Sequence, residues 1–439
     1  MKSRIIALLF FIFVFSALLI PIVASQEEPV IYSDPVLVSV SGNGQYFIAG
    51  SGGGVINFFD KTGTLLWAYP TGKRITGVSA SHNGDYIVVA GVDPIDASDG
   101  SVYCFNPQGD LLWQSDPAMN IQQAKISADG TTIIALGYTG PPEAREPVTY
   151  SLDQTGNICW KILKMSGGGS SIALSDDGNT FVVGTWGGGG SQDRYDGSIR
   201  LFAGNGTMLG KYGTKSWVIG VDISRDGSSI AAIDRDAVYF LDRHGNLLWN
   251  YSSRYQTRSV AISSDGDFVV AGSQYKAYYF NRSGALLWDL TDPGYVYSVA
   301  LSDDGRSVLA GTAPGGNNQK NGTIYSLNGD GTVHRSYPIR GAAQSVSTSD
   351  SGIVNVVGLW GTIGEKDPSI YVSNQSGKER KIILNAGHYL SPQTRPNPSP
   401  SLLPASLPPV SQPAPLTFDI IIFALLLAGC AFTILKKPA

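Results

Sequence analysis

One four-residue pattern returns eight times along this chain at nearly even spacing, and it limits the possible folds more than any other feature. The pattern is Ser, a variable residue, Asp or Asn, then Gly. It stands at 41–44, 81–84, 127–130, 175–178, 224–227, 263–266 and 302–305, with a degenerate eighth copy at 349–352. Between successive final glycines the gaps are 40, 46, 48, 49, 39, 39 and 47 residues. Such a beat marks a supersecondary unit copied along the chain.

A second marker runs in phase with the first. Residues 60–67, Asp-Lys-Thr-Gly-Thr-Leu-Leu-Trp, recur in related form at 106–113, 153–160, 242–249 and 281–288, each closing on Trp67, Trp113, Trp160, Trp249 or Trp288. In the other three units, counting places Gly210, Arg335 and Lys381 where the Trp belongs. Each unit reads as four short strands. In the sixth these are 259–262, 268–271, 277–280 and 285–288, with Asp-Gly and Gly supplying the positive φ that tight hairpins need. Only 15% of residues are charged while Gly numbers 53, which suits short strands joined by tight turns. Runs such as Ile87-Val88-Val89 are apolar on both faces, as strands sandwiched between sheets should be. The expected fold is all-β: an eight-bladed β-propeller of four-stranded blades spanning residues 26–390. The eighth unit is degenerate and no spare strand plainly closes the ring; Ile31-Tyr32 is the one candidate to pair with the last blade.

The units resemble quinoprotein-type (PQQ-like) propeller repeats over about residues 30–389, and more loosely WD40 repeats. Gly-x-Leu-Leu-Trp carries the resemblance. It implies that Trp67, Trp113, Trp160, Trp249 and Trp288 pack between adjacent blades. The WD40 hallmarks are missing, since no Gly-His opens the units and Phe59-Asp60 or Phe280-Asn281 occupies the Trp-Asp slot.

The two ends predict export and anchoring. Lys2 and Arg4 precede an apolar stretch at 5–20, Pro21 follows, and Val23-Ala24-Ser25 offers small residues for cleavage, so residues 1–25 read as a signal peptide. Residues 391–417 form a Pro-rich spacer, 418–435 a transmembrane helix and 436–439 a short basic cytoplasmic tail. This layout resembles surface proteins of archaea and places the propeller outside the cell membrane. Cys104 and Cys159 lie in different repeats, and a bridge would need compatible positions in neighbouring sheets. Asn205, Asn250, Asn281, Asn321 and Asn374 open N-x-S/T sequons in the exported part, which makes a glycoprotein plausible without demanding one.

The loops between second and third strands vary most, being long in units two, three, four, seven and eight. Insertions confined to one connection type decorate one face, usually the binding face. Tyr138, Trp186 and Trp360 stand at the base of these insertions, and Trp217 and Tyr295 precede first strands on the same side. Together they suit a sugar, a peptide or an apolar group. The alternative is that each Trp covers its own Gly-rich loop. Asp93, Asp96 and Asp99 form an oxygen-rich loop that invites calcium, although Asp-Gly is also ordinary turn chemistry.

Catalysis finds little support. The four His residues make no metal spacing, and no Gly-x-Ser-x-Gly elbow or phosphate loop is present. A net charge of −4 gives no basic footprint for nucleic acid. The leading expectation is therefore a cell-surface binding or scaffold protein with a protein or glycan partner and no cofactor. The alternatives are an extracytoplasmic oxidoreductase using PQQ with calcium, as the resemblance allows, and a structural envelope protein.

Overall fold

The computed structural model describes residues 35–384 apart from 97, 141–145, 164–167, 187–196, 315–320, 361–367 and 375–378. The signal peptide, the Ile31-Tyr32 pair, the spacer, the transmembrane helix and the basic tail lie outside these residues. Among the described residues every regular element is a strand, and no helix is long and apolar enough to cross a membrane.

The first marker makes a turn from its own side chains. In unit three, the Ser127 hydroxyl donates to Asp129 Oδ1 (2.6 Å) and accepts from Thr132 N (3.0 Å), while Asp129 Oδ1 also accepts from Thr131 N (3.0 Å). Gly130 then takes φ 77°, which L side chains resist. The other seven marker glycines share that conformation, with φ between 66° and 75°. Ser-x-Asp-Gly is thus a self-satisfied hairpin, and each copy folds one first strand back on one second strand.

The strands form seven hydrogen-bonded sheets among the described residues. Six hold four strands each in sequential order; the first is Val36–Val40, Tyr46–Ser51, Val55–Asp60 and Leu65–Pro70. The remaining sheet holds six strands and carries units six and seven. Two of its strands are long, Phe268–Asn281 and Leu286–Leu301. Their pairing breaks between Gln274↔Tyr295 and Lys276↔Thr291, where one unit passes into the next. Tyr275 sits at that break with φ 74°.

The sheets follow one another in a propeller-like circle, and two sets of hydrogen bonds close it. On the marker side, the backbone of each variable turn residue links to the next: His82 N to Ala128 O, Ala128 N to Asp176 O, Asp176 N to Arg225 O, Arg225 N to Ser264 O, Ser264 N to Asp303 O, Asp303 N to Asp350 O and Asp350 N to Gly42 O. Asn43 N to His82 O completes the circle, and all the distances are 2.9–3.0 Å. Further in, side chains on one first strand accept from peptide N–H groups of the next. Ser39, Ser79, Gln123, Ser171, Asp222, Ser259 and Ser298 do this in turn, and Ser345 and Ser347 of unit eight accept from Val38 N and Val40 N of unit one. Among the described residues, closure runs through strands of the units themselves.

The core lies between sheets. Eight apolar clusters occur among the described residues, one at each junction of consecutive units, including unit eight with unit one (Val36, Phe47, Phe59, Val356, Ile370). Five tryptophans stand at these junctions. Trp249 Nε1 donates to Arg282 O of the next unit (3.0 Å), and a Cβ added to Gly284, at φ 85°, would meet its ring at 2.7 Å. Trp67, Trp113, Trp160 and Trp288 repeat the arrangement on Pro107, Gln154, Gly204 and Gly329.

One register differs from that expected by counting. Seven units carry a bulge between third and fourth strands, as at Phe58/Phe59. Unit eight pairs without one, Val372↔Arg380 and Tyr371↔Lys381. The missing bulge slides its fourth strand by one residue, so Arg380 rather than Lys381 takes the tryptophan's place.

Candidate binding face and channel mouth

The first strands surround the axis, and seven of the eight contain a bulge at one common level. Pairing skips Thr76, Gln122, Ser170, Ile219, Arg258, Tyr297 and Gln344. Bulges re-aim side chains and cluster beside functional sites. Here they lie toward the insertion face. All seven side chains are half-buried or exposed although their strands are enclosed on both sides, which points them to the channel.

The aromatic residues of that face fall into separate groups. Trp186 and Trp217 meet across units four and five, with ring centroids 6.2 Å apart and tilted by 56°. Both remain open to solvent, at 36% and 46% exposure. Trp186 also lies over Gly168 of its own sheet, where a Cβ would strike the indole, so it covers local backbone and faces outward at once. Tyr295 belongs to a second group with Tyr255, Tyr275 and Tyr297, linked by centroid distances of 5.5, 5.5 and 6.4 Å. Arg258 stacks on Tyr295 and Tyr297 (5.3 and 4.8 Å), and Arg254 reaches Tyr255 (5.9 Å). Tyr138 is half-buried and Trp360 is 42% exposed.

Among the described residues, two buried polar atoms of the bulged positions have no hydrogen-bond partner: Arg258 Nε and Gln344 Oε1, on either side of Tyr297 in unit order. An unsatisfied buried donor or acceptor costs roughly 1–3 kcal/mol, so each marks a place where a ligand gains by supplying the partner. Tyr255, Tyr275 and Arg258 were not legible from the sequence because the second-to-third connection of unit six is short. The signal available was the density of Arg and Tyr in 254–258 and 275–279.

The opposite mouth is closed by charge. Arg225, at a variable turn position, makes ion pairs with Asp176, Asp303 (2.7 Å) and Asp350 (2.7 Å), and His82 Nδ1 lies 3.2 Å from Asp350. Burial and repulsion from Asp350 push Asp303 up to about 6, against the pull of Arg225. Between the two mouths, Lys125 and Asp222 project from first strands. Burial lowers the Lys125 ammonium and raises Asp222 to about 6.

The acidic loop is occupied by its own turn. Asp93 Oδ1 accepts from Ile95 N and Asp96 N, which hold its carboxyl below the usual range. Asp96 Oδ1 accepts from Ser98, and Asp99 pairs with buried Lys73 (2.6 Å). Among the described residues no group of three or more His, Cys, Asp or Glu is arranged to hold a metal ion. Cys104 and Cys159 are both free thiols, and burial pushes Cys104 up to about 12. Asn205, Asn250 and Asn321 are exposed, Asn374 is half-buried, and the Asn281 amide oxygen is taken by Ser283 and Ala285 in its turn.

Comparison with known proteins agrees with this geometry. Residues 98–291 match a family described as outer membrane protein assembly factor BamB. Among solved structures, BamB from Moraxella catarrhalis is 17% identical and superposes with a TM-score of 0.52, covering 74% of this chain and 95% of that one. The C-terminal WD40 domain of Sif2 gives 16%, 0.59, 79% and 97%. Chaetomium thermophilum Sqt1, bound to the N-terminus of the ribosomal protein L10, gives 15%, 0.60, 78% and 98%. The chain is a β-propeller. No curated protein matches.

The quinone that some PQQ-like propellers carry needs a tryptophan floor with acidic and calcium ligands. In this propeller Trp67, Trp113, Trp160, Trp249 and Trp288 are committed to unit junctions, and the described acidic residues offer no metal-holding group. Those five tryptophans are therefore not available as such a floor.

Proposed function

We propose that this protein is a cell-surface binding or scaffold module that recognises a polypeptide segment at the insertion-face mouth of an eight-bladed propeller. The carrying observation is the Arg258–Tyr295–Tyr297 stack with two unpartnered buried polar atoms beside it. Aromatic rings and guanidinium groups are the side chains that dominate protein recognition sites. A free Arg donor and a free Gln acceptor match the two hydrogen-bonding groups of a peptide unit. A propeller of the same fold, Sqt1, holds a polypeptide N-terminus.

The count of eight takes the six-stranded sheet as two blades, as its two copies of each marker and the circle of turn-to-turn hydrogen bonds support. The signal-like sequence, Pro-rich spacer and apolar segment at 418–435 support a propeller held outside the cell on a single membrane anchor. Asn205, Asn250 and Asn321 are then available for glycans.

Peptide and glycan arrays probed with the purified protein test the reading. Binding to peptides, lost on Arg258→Ala with Tyr297→Ala and retained on Trp360→Ala, is the expected result. Binding to glycans alone, or peptide binding indifferent to Arg258 and Tyr297, overturns it.

A further inference from the structure

Three junctions lack the tryptophan, and each compensates differently. At units four and five the backbone closes in: a Cβ on Gly210 would strike His244 O. At units seven and eight Arg335 reaches Glu379 (3.8 Å). At units eight and one Arg380 stands in the tryptophan's register, with Nη1 3.4 Å from Gly63 O.

That last junction has lost a second aromatic. One place before the residue that pairs with the tryptophan position, the third strand carries Tyr103, Tyr150, Tyr239, Tyr278, Tyr325 and Tyr371 in six units, each set in its junction cluster or packed against it. In unit one the same place holds Asn57, paired with Ala68. A groove of about 300 Å³ results, lined by Asn57, Phe59, Gly63, Leu65, Arg380 and Ile382 among others. Asn57 is 1% exposed, and among the described residues its Nδ2 has no hydrogen-bond partner. An apolar-walled groove with an unsatisfied amide at its base is incomplete as an interior, because the buried donor forfeits its hydrogen bond to water.

We infer that this groove, between the first and last blades, receives a tryptophan from an extended segment of a partner protein. The molecule itself shows what such a place takes. At five junctions an indole covers the positive-φ glycine of the next turn and donates to the carbonyl of that turn's second residue. Here Gly63 (φ 81°) and Lys61 stand at the equivalent positions, and the tip of Ile382 lies over Gly63, so it must turn aside for an indole to seat. The partner's backbone carbonyls meet the Asn57 amide and the Arg380 guanidinium. This site is separate from the insertion-face mouth and does not depend on that reading.

The probe is a fluorescent peptide copying residues 284–291, Gly-Ala-Leu-Leu-Trp-Asp-Leu-Thr, titrated against the purified full chain by anisotropy. Saturable binding is expected, about tenfold weaker when Lys replaces the peptide's Trp. Asn57→Tyr restores the ring found in six other units and should weaken binding about tenfold with no fall in melting temperature. Should that variant fail to fold, Leu65→Glu on the exposed rim gives the same loss. Arg258→Ala with Tyr297→Ala should leave this binding unchanged, which separates the groove from the insertion-face mouth. Binding untouched by the Asn57 and Leu65 changes, or none to the unaltered chain, overturns the inference. So does binding that emerges only with Tyr389→Ala, which assigns the groove to the chain's own C-terminal segment.

Discussion

Asp303 and Asp222 are the residues whose protonation this fold resists least. Both sit near 6, raised from 3.8 first by burial; in Asp303 repulsion from Asp350 adds to it. A carboxyl whose folded value lies above its unfolded one stabilises the fold most below the unfolded value. That contribution disappears as pH rises through the folded value. The marker carboxylates act in the opposite sense. Burial raises Asp129, but hydrogen bonds from Ser127 and Thr131 outweigh it and hold the group low. Between about pH 4 and 6, therefore, stability from Asp222 and Asp303 falls as pH rises. Thermal melts across that window should show a smaller decline in Asp303→Asn than in the unaltered chain; an identical decline contradicts the assignment. At Gly284 the backbone is left-handed and the Trp249 ring lies against the missing Cβ. Gly284→Ala should cost about 1–3 kcal/mol in urea unfolding, from backbone strain and displaced packing together.

At the scale of strands and hairpins, the sequence made the turns legible because each marker carries its own hydrogen-bonding partners. Ser127, Asp129 and Gly130 specify their hairpin without help from the rest of the chain. Register was less legible. Arg380 takes the tryptophan's place because one bulge is absent, and a bulge depends on two strands pairing rather than on either alone. The channel mouth was hidden for a similar reason. Arg258, Tyr297 and Gln344 stand in three different units, and their bulges bring them to one level around the axis. Strand order was enough to put Trp217 and Tyr295 just before first strands. Their actual neighbours, Trp186 for one and Tyr275 and Tyr297 for the other, required coordinates.

At the scale of the whole molecule, closure is the property on which the rest depends. Ser345 and Ser347 satisfy two peptide N–H groups across the first and last units, at 3.3 and 3.0 Å. Replacing both with Ala orphans two buried donors and should lower stability by about 2–4 kcal/mol, read from chemical denaturation. An unchanged midpoint would mean that the ring is held by its apolar junction alone. A closed ring has two unlike mouths. One is knotted by Arg225 and its three aspartates; the other is rimmed by bulged side chains, tyrosines and Arg258. The central claim is that a polypeptide partner approaches the second mouth. Photo-crosslinking on intact cells tests it, with a benzophenone amino acid placed at Ile219 on the bulge ring or at Ala128 in a marker turn. A crosslinked polypeptide from position 219 and none from position 128 is the predicted result. Crosslinks from position 128 alone would contradict it.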